Sequence, residues 1–209
     1  GPLLLEIVGA ERVGDTEAIF AGATPVPTVA VANVRVPEQV VVDLGEFGRE
    51  TIDPQSPHYS VTVGTAENGL PLATASISEA GLLELCRERS SVCDGGDGRY
   101  RQARVDLRPG GLIVYVEINT GLFWQQIGLV LRLAATATRF DVTGVDIEGM
   151  TYAVDVLPAD TRSAIQTAVS DVEQISAEVL RSLTLQDGGE TYRLSEISID
   201  DTRMTVLLR

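Results

Sequence analysis

The sequence predicts an α+β fold in which a strongly curved antiparallel β-sheet wraps around one long amphipathic helix at about 158–185. Three observations carry this. Ile165, Ala168, Val169, Val172, Ile175, Val179, Leu180 and Leu183 recur at three- and four-residue steps, with Arg162, Gln166, Ser170, Asp171, Glu173, Gln174, Glu178 and Arg181 opposite them. Several stretches alternate apolar and polar residues and are joined by hairpin signals, Asn68-Gly69 and Arg108-Pro109-Gly110-Gly111. The alternation changes phase near Thr143-Gly144, which marks a bulge, and bulges bend sheets.

The helix has terminal signals as well. Pro158 suits a first helical turn, and Asp160 places negative charge near the positive end of the dipole. Asp187-Gly188-Gly189 is read as its stop, because glycine accepts the left-handed backbone common after a helix. At 1.5 Å per residue such a helix is roughly 40 Å long. Its apolar stripe needs a surface, and the strands are the only one large enough.

Along the chain, Leu3 to Val8 and Thr28 to Val36 read as strands and Ala21 to Pro27 as a Gly/Pro loop, while Gln39 to Leu44 reads as a strand or, with Pro37 before it, as the opening of a helix. Pro54 and Pro57 make 52–58 a crossing loop. Residues 1–58 are expected to be an extension joining the same domain as 59–209. Tyr59, Val61 and Val63 alternate with polar residues, and Leu72 to Ile77 returns as a strand. Ser78 caps a helix from Glu79 to about Arg89, with Leu82, Leu83, Leu85 and Cys86 inward. Val105 and Leu107, then Leu112, Val114, Val116 and Ile118, form a hairpin. A long strand follows, with Ile127, Leu129, Leu131, Leu133, Ala135 and Ala137 on one side and Val130, Arg132, Thr136 and Thr138 on the other. Phe140, Val142, Val145 and Ile147 belong to the next strand, and Tyr152, Val154 and Val156 to the last before the long helix.

The chain also repeats a pattern. YRQARVDLRPGGLIVYV from Tyr100 and YRLSEISIDDTRMTVLL from Tyr192 align so that Val105 meets Ile197, Leu107 meets Ile199, Leu112 meets Met204 and Val114 meets Val206. Each follows a helix and an acidic glycine-rich loop. Alternation alone aligns any two hairpins. The shared Tyr-Arg and the matching upstream elements favour a helix-loop-hairpin repeat.

Composition bounds the function. The 209 residues include 30 acidic and 16 basic ones, for a formal net charge of −14. Every one of the basic residues is arginine. Phosphate backbones would repel such a chain, so nucleic acid is not expected as a partner. No run of about 18 apolar residues is present, so no transmembrane segment is expected. The opening GPLLLEIVGA is short for a signal peptide and lacks a basic start, and Gly1-Pro2 reads as a cleavage scar with the native start removed. Cys86 and Cys93 are placed either to form a disulfide, implying an oxidising compartment, or to stand as two buried thiols.

The catalytic motifs are missing. His58 is the lone histidine and directly follows Pro57 in a proline-containing loop. No G-x-S-x-G elbow, P-loop, dinucleotide fingerprint, H-E-x-x-H or C-x-x-C occurs. A non-enzymatic protein without a cofactor is expected. Asp94 and Asp97 are candidate calcium ligands on oxygen chemistry, although their spacing is not that of an EF-hand and acidic turn residues ordinarily serve the turn.

The succession ISEAGLLELCRE, RYRQARVDLRPGGLIVYVEI, long strands, long helix and TYRLSEISIDDTRMTVLLR resembles the bacterial secreted members of the tubular lipid-binding (TULIP) superfamily over about 59–209. The resemblance implies a curved sheet around a helix, an acyl-chain groove between them and an extracytoplasmic location. Leu129, Leu131, Leu133, Ile165, Val169 and Val172 would line that interface whether it is filled or hollow. Small residues such as Ala135, Ala137, Ala164 and Ala168 favour a tunnel. Phe123 and Trp124 are either a core anchor or an apolar lip at the groove mouth. The expected ligand is a lipid or another elongated apolar molecule. The competing expectation is a solid-cored interaction module of the cell envelope.

Overall fold

A computed structural model describes residues 12–23, 29–95, 98–119, 121–134, 136 and 139–209. The strands expected at Leu3 to Val8 lie outside the described residues, as do Ala135, Ala137, Thr138 and the side chain of Ala164.

The chain is mostly β and builds two antiparallel sheets, not one sheet wrapped around a helix. The first strands are β1 (Arg12–Asp15), β2 (Val31–Arg35), β3 (Val40–Asp43), β4 (Arg49–Ile52), β5 (Tyr59–Ala66) and β6 (Pro71–Ser78). They are followed by β7 (Tyr100–Arg108), β8 (Gly111–Asn119), β9 (Trp124–Leu133), β10 (Phe140–Ile147) and β11 (Met150–Tyr152). The last are β12 (Thr184–Asp187), β13 (Glu190–Ile199) and β14 (Arg203–Leu208). One sheet has the order β1-β11-β10-β9-β8-β7, the other β2-β5-β6-β14-β13-β12-β3-β4. Four helices accompany them among the described residues: α1 (Thr16–Phe20), α2 (Glu79–Arg89), α3 (Ser91–Asp94) and α4 (Ala159–Ser182).

The single-sheet expectation fails for a topological reason. Alternation tells which face of a strand is buried, but not which sheet the strand joins. Here the helices are the crossings. From β6 the chain enters α2 and α3 and reappears as β7 in the six-stranded sheet. From β11 it enters α4 and returns as β12 in the eight-stranded one. Both sheets contribute to one core, in which Val105, Leu107, Val114 and Leu129 join Val61, Ala73, Ile197 and Val206. A backbone bond from Gly110 N to Ile199 O, 3.1 Å, links the β7–β8 turn to the end of β13.

The long helix is shorter than expected. It ends at Ser182, and β12 begins at Thr184. Gly188 and Gly189, both at positive φ, belong to the β12–β13 turn. Pro158 stands just outside the helix as its N-cap residue. Its buried stripe includes Thr161, Ile165, Ala168 and Leu180, while Gln166, Ser170, Gln174 and Arg181 face solvent. Val154–Val156 is a single 3₁₀ turn, not part of a strand.

The hairpins at Tyr100 and Tyr192 share a register. Val105 pairs with Val114 and Leu107 with Leu112, as Ile197 pairs with Val206 and Ile199 with Met204. Each is irregular near its open end, between Arg101 and Arg104 and between Leu194 and Glu196. They belong to different sheets, however, so they do not continue one surface.

Local chemistry sets the remaining elements. Ser78 Oγ accepts the Gly81 N–H at 3.3 Å and caps α2. Glu79 Oε1 then accepts the Leu107 N–H at 2.8 Å, which satisfies a donor on β7, the edge strand of its sheet. Between β9 and β10 the register skips at Val142/Gly144, and a Cβ on Gly144 would lie 2.5 Å from the Tyr152 carbonyl. The outer face of the six-stranded sheet has a small core of its own, where Phe20 of α1 covers Ile113 and Val130. Residues 31–52 are built into the same body, since β2 pairs with β5 and β3 with β12.

Candidate functional site

Two apolar cavities run along the C-terminal half of α4. The first, about 120 Å³, lies against the eight-stranded sheet between β3, β4, β5, β6, β12 and β14. The second, about 170 Å³, lies between α2, α4 and the inner face of the six-stranded sheet. They share Leu44, Leu85, Val179, Leu180 and Met204, so they adjoin as neighbouring lobes of an apolar groove beside the helix. Leu85, Val179 and Leu183 stay only half-buried, which leaves the groove partly open to solvent.

Three periodicities build the walls. On β14, Met204, Val206 and Leu208 point inward at period two. On α4, Val172, Ile175, Val179 and Leu183 advance by three or four residues. On α2, Leu82, Leu85, Cys86 and Arg89 follow the i, i+3, i+4, i+7 spacing of one helical face. Cys86 is bonded to Cys93, which ties α2 to α3 and fixes one wall covalently. Gly45, at φ +67°, packs against the last turn of α4, where an added Cβ would overlap Ser182. That contact sets Leu44 between the two lobes.

The groove has one polar corner. Arg89 stands on the apolar face of α2, and its side chain is only 8% exposed. Its guanidinium pairs with Glu50 of β4 and with Glu88, the latter at 2.6 Å, and donates to Leu85 O at 3.4 Å. Its Nε–H has no acceptor among the described residues. Tyr59 lines the first lobe, with its hydroxyl 3.5 Å from Gly81 O. Burial first, then the carboxylates of Glu84, Glu88 and Glu50, push the Tyr59 phenol up to about 12, while Arg89 opposes them.

Among the residues expected from sequence to line the interface, Leu131 and Val172 face the second lobe. Leu129 and Ile165 are fully buried in the shared core, and Leu133 and Val169 pack against it half-buried. Trp124 lies under the Arg101 guanidinium, 4.2 Å from its ring, and Arg101 also pairs with Glu117 at 2.5 Å. Phe123, half-buried, precedes it in the β8–β9 connection. Neither aromatic belongs to the walls of the two lobes. Asp94 closes α3, and Asp97 lies outside the described residues. Among the described residues no three His, Cys, Asp or Glu side chains are grouped to hold a metal ion. No described helix is long and apolar enough to cross a membrane.

Sequence reasoning did not reach Val42, Leu44 and Ile52, because the N-terminal strands offered no link to α4. Arg89 was missed as well, although a signal existed: a charged residue at i+7 from Leu82 falls on the apolar face, where a charge needs a reason.

The chain matches no known protein family, no characterised protein and no solved structure.

Proposed function

We propose that this protein binds an elongated apolar molecule in the two-lobed groove beside α4, without catalysing a reaction. The groove itself carries the reading: its walls are almost wholly hydrocarbon, and its two lobes adjoin at Leu44, Leu85, Val179, Leu180 and Met204. A dry apolar void of roughly 150 Å³ accepts a guest as large as benzene, and each lobe is of that order. Each buried CH₂ contributes about 0.8 kcal/mol, so a chain threaded through both lobes is held without specific polar contacts. An extracytoplasmic setting accompanies this reading, and the Cys86–Cys93 disulfide is compatible with it.

Native mass spectrometry and organic extraction of the purified protein test the proposal, followed by titration with the neutral apolar dye N-phenyl-1-naphthylamine. Copurifying lipid near one-to-one, or saturable dye uptake blocked by Val179→Phe, supports it. A clean mass with no dye uptake overturns it. That outcome would favour an interaction module of the cell envelope, for which Leu122, 90% exposed beside Phe123 and Trp124, is the natural contact.

A further inference from the structure

The polar side chains that line the groove are turned to partners within the protein. In the first lobe, the Tyr59 hydroxyl lies 3.5 Å from Gly81 O, Ser76 Oγ shares a hydrogen bond with Ser60 Oγ at 2.6 Å, and Glu50 pairs with Arg89. In the second, Ser90 Oγ accepts the Val92 N–H at 3.3 Å and Ser176 Oγ donates to Glu173 O at 3.1 Å. The Arg89 guanidinium is held by Glu50, Glu88 and Leu85 O. Arg89 Nε lacks an acceptor among the described residues but has essentially no accessible surface, so it is not offered to the cavity either. The space inside both lobes is therefore bounded almost entirely by apolar atoms.

We infer that the groove measures hydrocarbon and recognises no head group. It takes an alkyl tail of about twelve carbons, the two lobes together, and leaves the polar group of the ligand outside, beside the half-buried Leu85, Val179 and Leu183. It excludes tails that carry a polar group at their far end. This rests on the groove reading above and adds to it the class of ligand and the basis of selection.

Capacity follows from volume. A void of roughly 150 Å³ holds the six carbons of benzene. The lobes, about 120 and 170 Å³, together offer about twice that space. Each methylene that enters raises affinity about fourfold, and one that finds no space adds nothing. A hydroxyl carried into a lobe leaves water and meets no free partner, which lowers affinity about tenfold or more. Selection therefore acts through the length of the tail and the chemistry of its buried end.

Displacement of N-phenyl-1-naphthylamine by methyl esters of straight-chain acids tests the length. Affinity should climb about fourfold per methylene as the acid grows from about six to about twelve carbons, then level off. A plateau at about six carbons would mean that the lobes are separate sites, and a climb continuing to about eighteen would mean that nothing limits the tail; either result overturns the inference. Ala75→Leu fills part of the first lobe alone and Val172→Phe part of the second alone. They add about three and about four carbons to the walls, and each should bring the plateau down by about as many. A plateau that moves in only one of them would overturn the use of both lobes by one tail. Two isomers of methyl dodecanoate test the buried end. An α-hydroxyl stays beside the ester outside the groove, whereas with an ω-hydroxyl either end that enters is polar. The ω isomer should compete at least tenfold more weakly than the α isomer, and equal competition would overturn the exclusion. All these outcomes leave the groove reading intact, because the dye still enters. Failure of the dye and of every ester to enter the unmodified protein would remove that reading, and the inference with it.

Discussion

The two halves of α4 carry the same apolar stripe and meet different surroundings. In the N-terminal half, Ile165 and Ala168 are sealed, at 0% and 1% exposure, in the core shared by both sheets. In the C-terminal half, Val172, Ile175 and Val179 stay half-buried along the groove. The cause lies in what the helix faces. The N-terminal half lies in the shared core, and just past the middle of the helix Val142 N–H of β10 donates to Glu173 Oε1 at 3.2 Å. The C-terminal half spans the gap between α2, the eight-stranded sheet at β3 and β14, and the inner face of the six-stranded sheet, and these elements do not fill the space between them. Periodicity marks a face for burial, and the neighbouring elements determine whether that face meets atoms or space.

The sharpest way to break this comparison is truncation on either side of it. Ile165→Ala should destabilise by about 3 kcal/mol, because a close-packed site gives up both transfer energy and a new cavity. Val179→Ala should cost less than about 1 kcal/mol, since its side chain already borders empty space. Urea unfolding of both variants measures the difference, and equal losses would mean that the groove is packed in solution.

The disulfide sharpens the contrast next. The closed loop is short, with a sequence separation of 7, so the chain-entropy model gives about 2.5 kcal/mol for its removal. Cys86→Ser with Cys93→Ser should lower the urea midpoint accordingly. It should also loosen the α2 wall, so that dye affinity falls more than it does in Val179→Ala. A stability loss without any change in dye affinity would separate the disulfide from the groove.

Much of this body was legible in the sequence, at the level of elements. Ser78 as a cap, the Gly110 turn, the bulge before Gly144 and the stripe of α4 each follow from local chemistry, and local chemistry is what a sequence displays. The division into two sheets was not legible, because it depends on where α2 and α4 deliver the chain. The same holds for the groove. Leu131 and Val172 were within reach as apolar positions, but nothing local separates Leu131, which borders the cavity, from Leu129, which does not. The end of α4 was misplaced because Gly188-Gly189 is equally good chemistry for a hairpin turn, and the β-strand pairing of Leu185 with Val42 and Tyr192 decided the outcome.

Filling the groove should separate binding from stability. Val179→Phe would place a ring where the two lobes meet. Dye uptake should fall at least tenfold, while stability changes by no more than about 1 kcal/mol, because the added carbons enter space that is already open. A strong loss of stability would show that the groove walls resist adjustment as a close-packed core does.

The smallest expected effect concerns alkaline pH. Tyr59 ionises near its ordinary 10 when unfolded and near about 12 when folded, because burial and then Glu84, Glu88 and Glu50 disfavour the phenolate. A group whose folded value is raised contributes stability that is fully present below the unfolded value. That contribution is lost as pH rises from about 10 through about 12. Tyr59→Phe should therefore flatten part of the alkaline decline in melting temperature, by a degree or two on the order of a few tenths of a kcal/mol. Tyr115, on the outer face of the six-stranded sheet, is also raised, by burial first and then by Asp146 and Asp106. Tyr115→Phe is thus the matched control from the solid side of the molecule. If ligand occupies the groove, it should deepen the burial of Tyr59 and leave Tyr115 untouched, so saturating methyl dodecanoate should shift the alkaline titration of the protein and the shift should vanish in Tyr59→Phe alone. A shift that vanished in Tyr115→Phe instead would place the ligand on the other face of the six-stranded sheet.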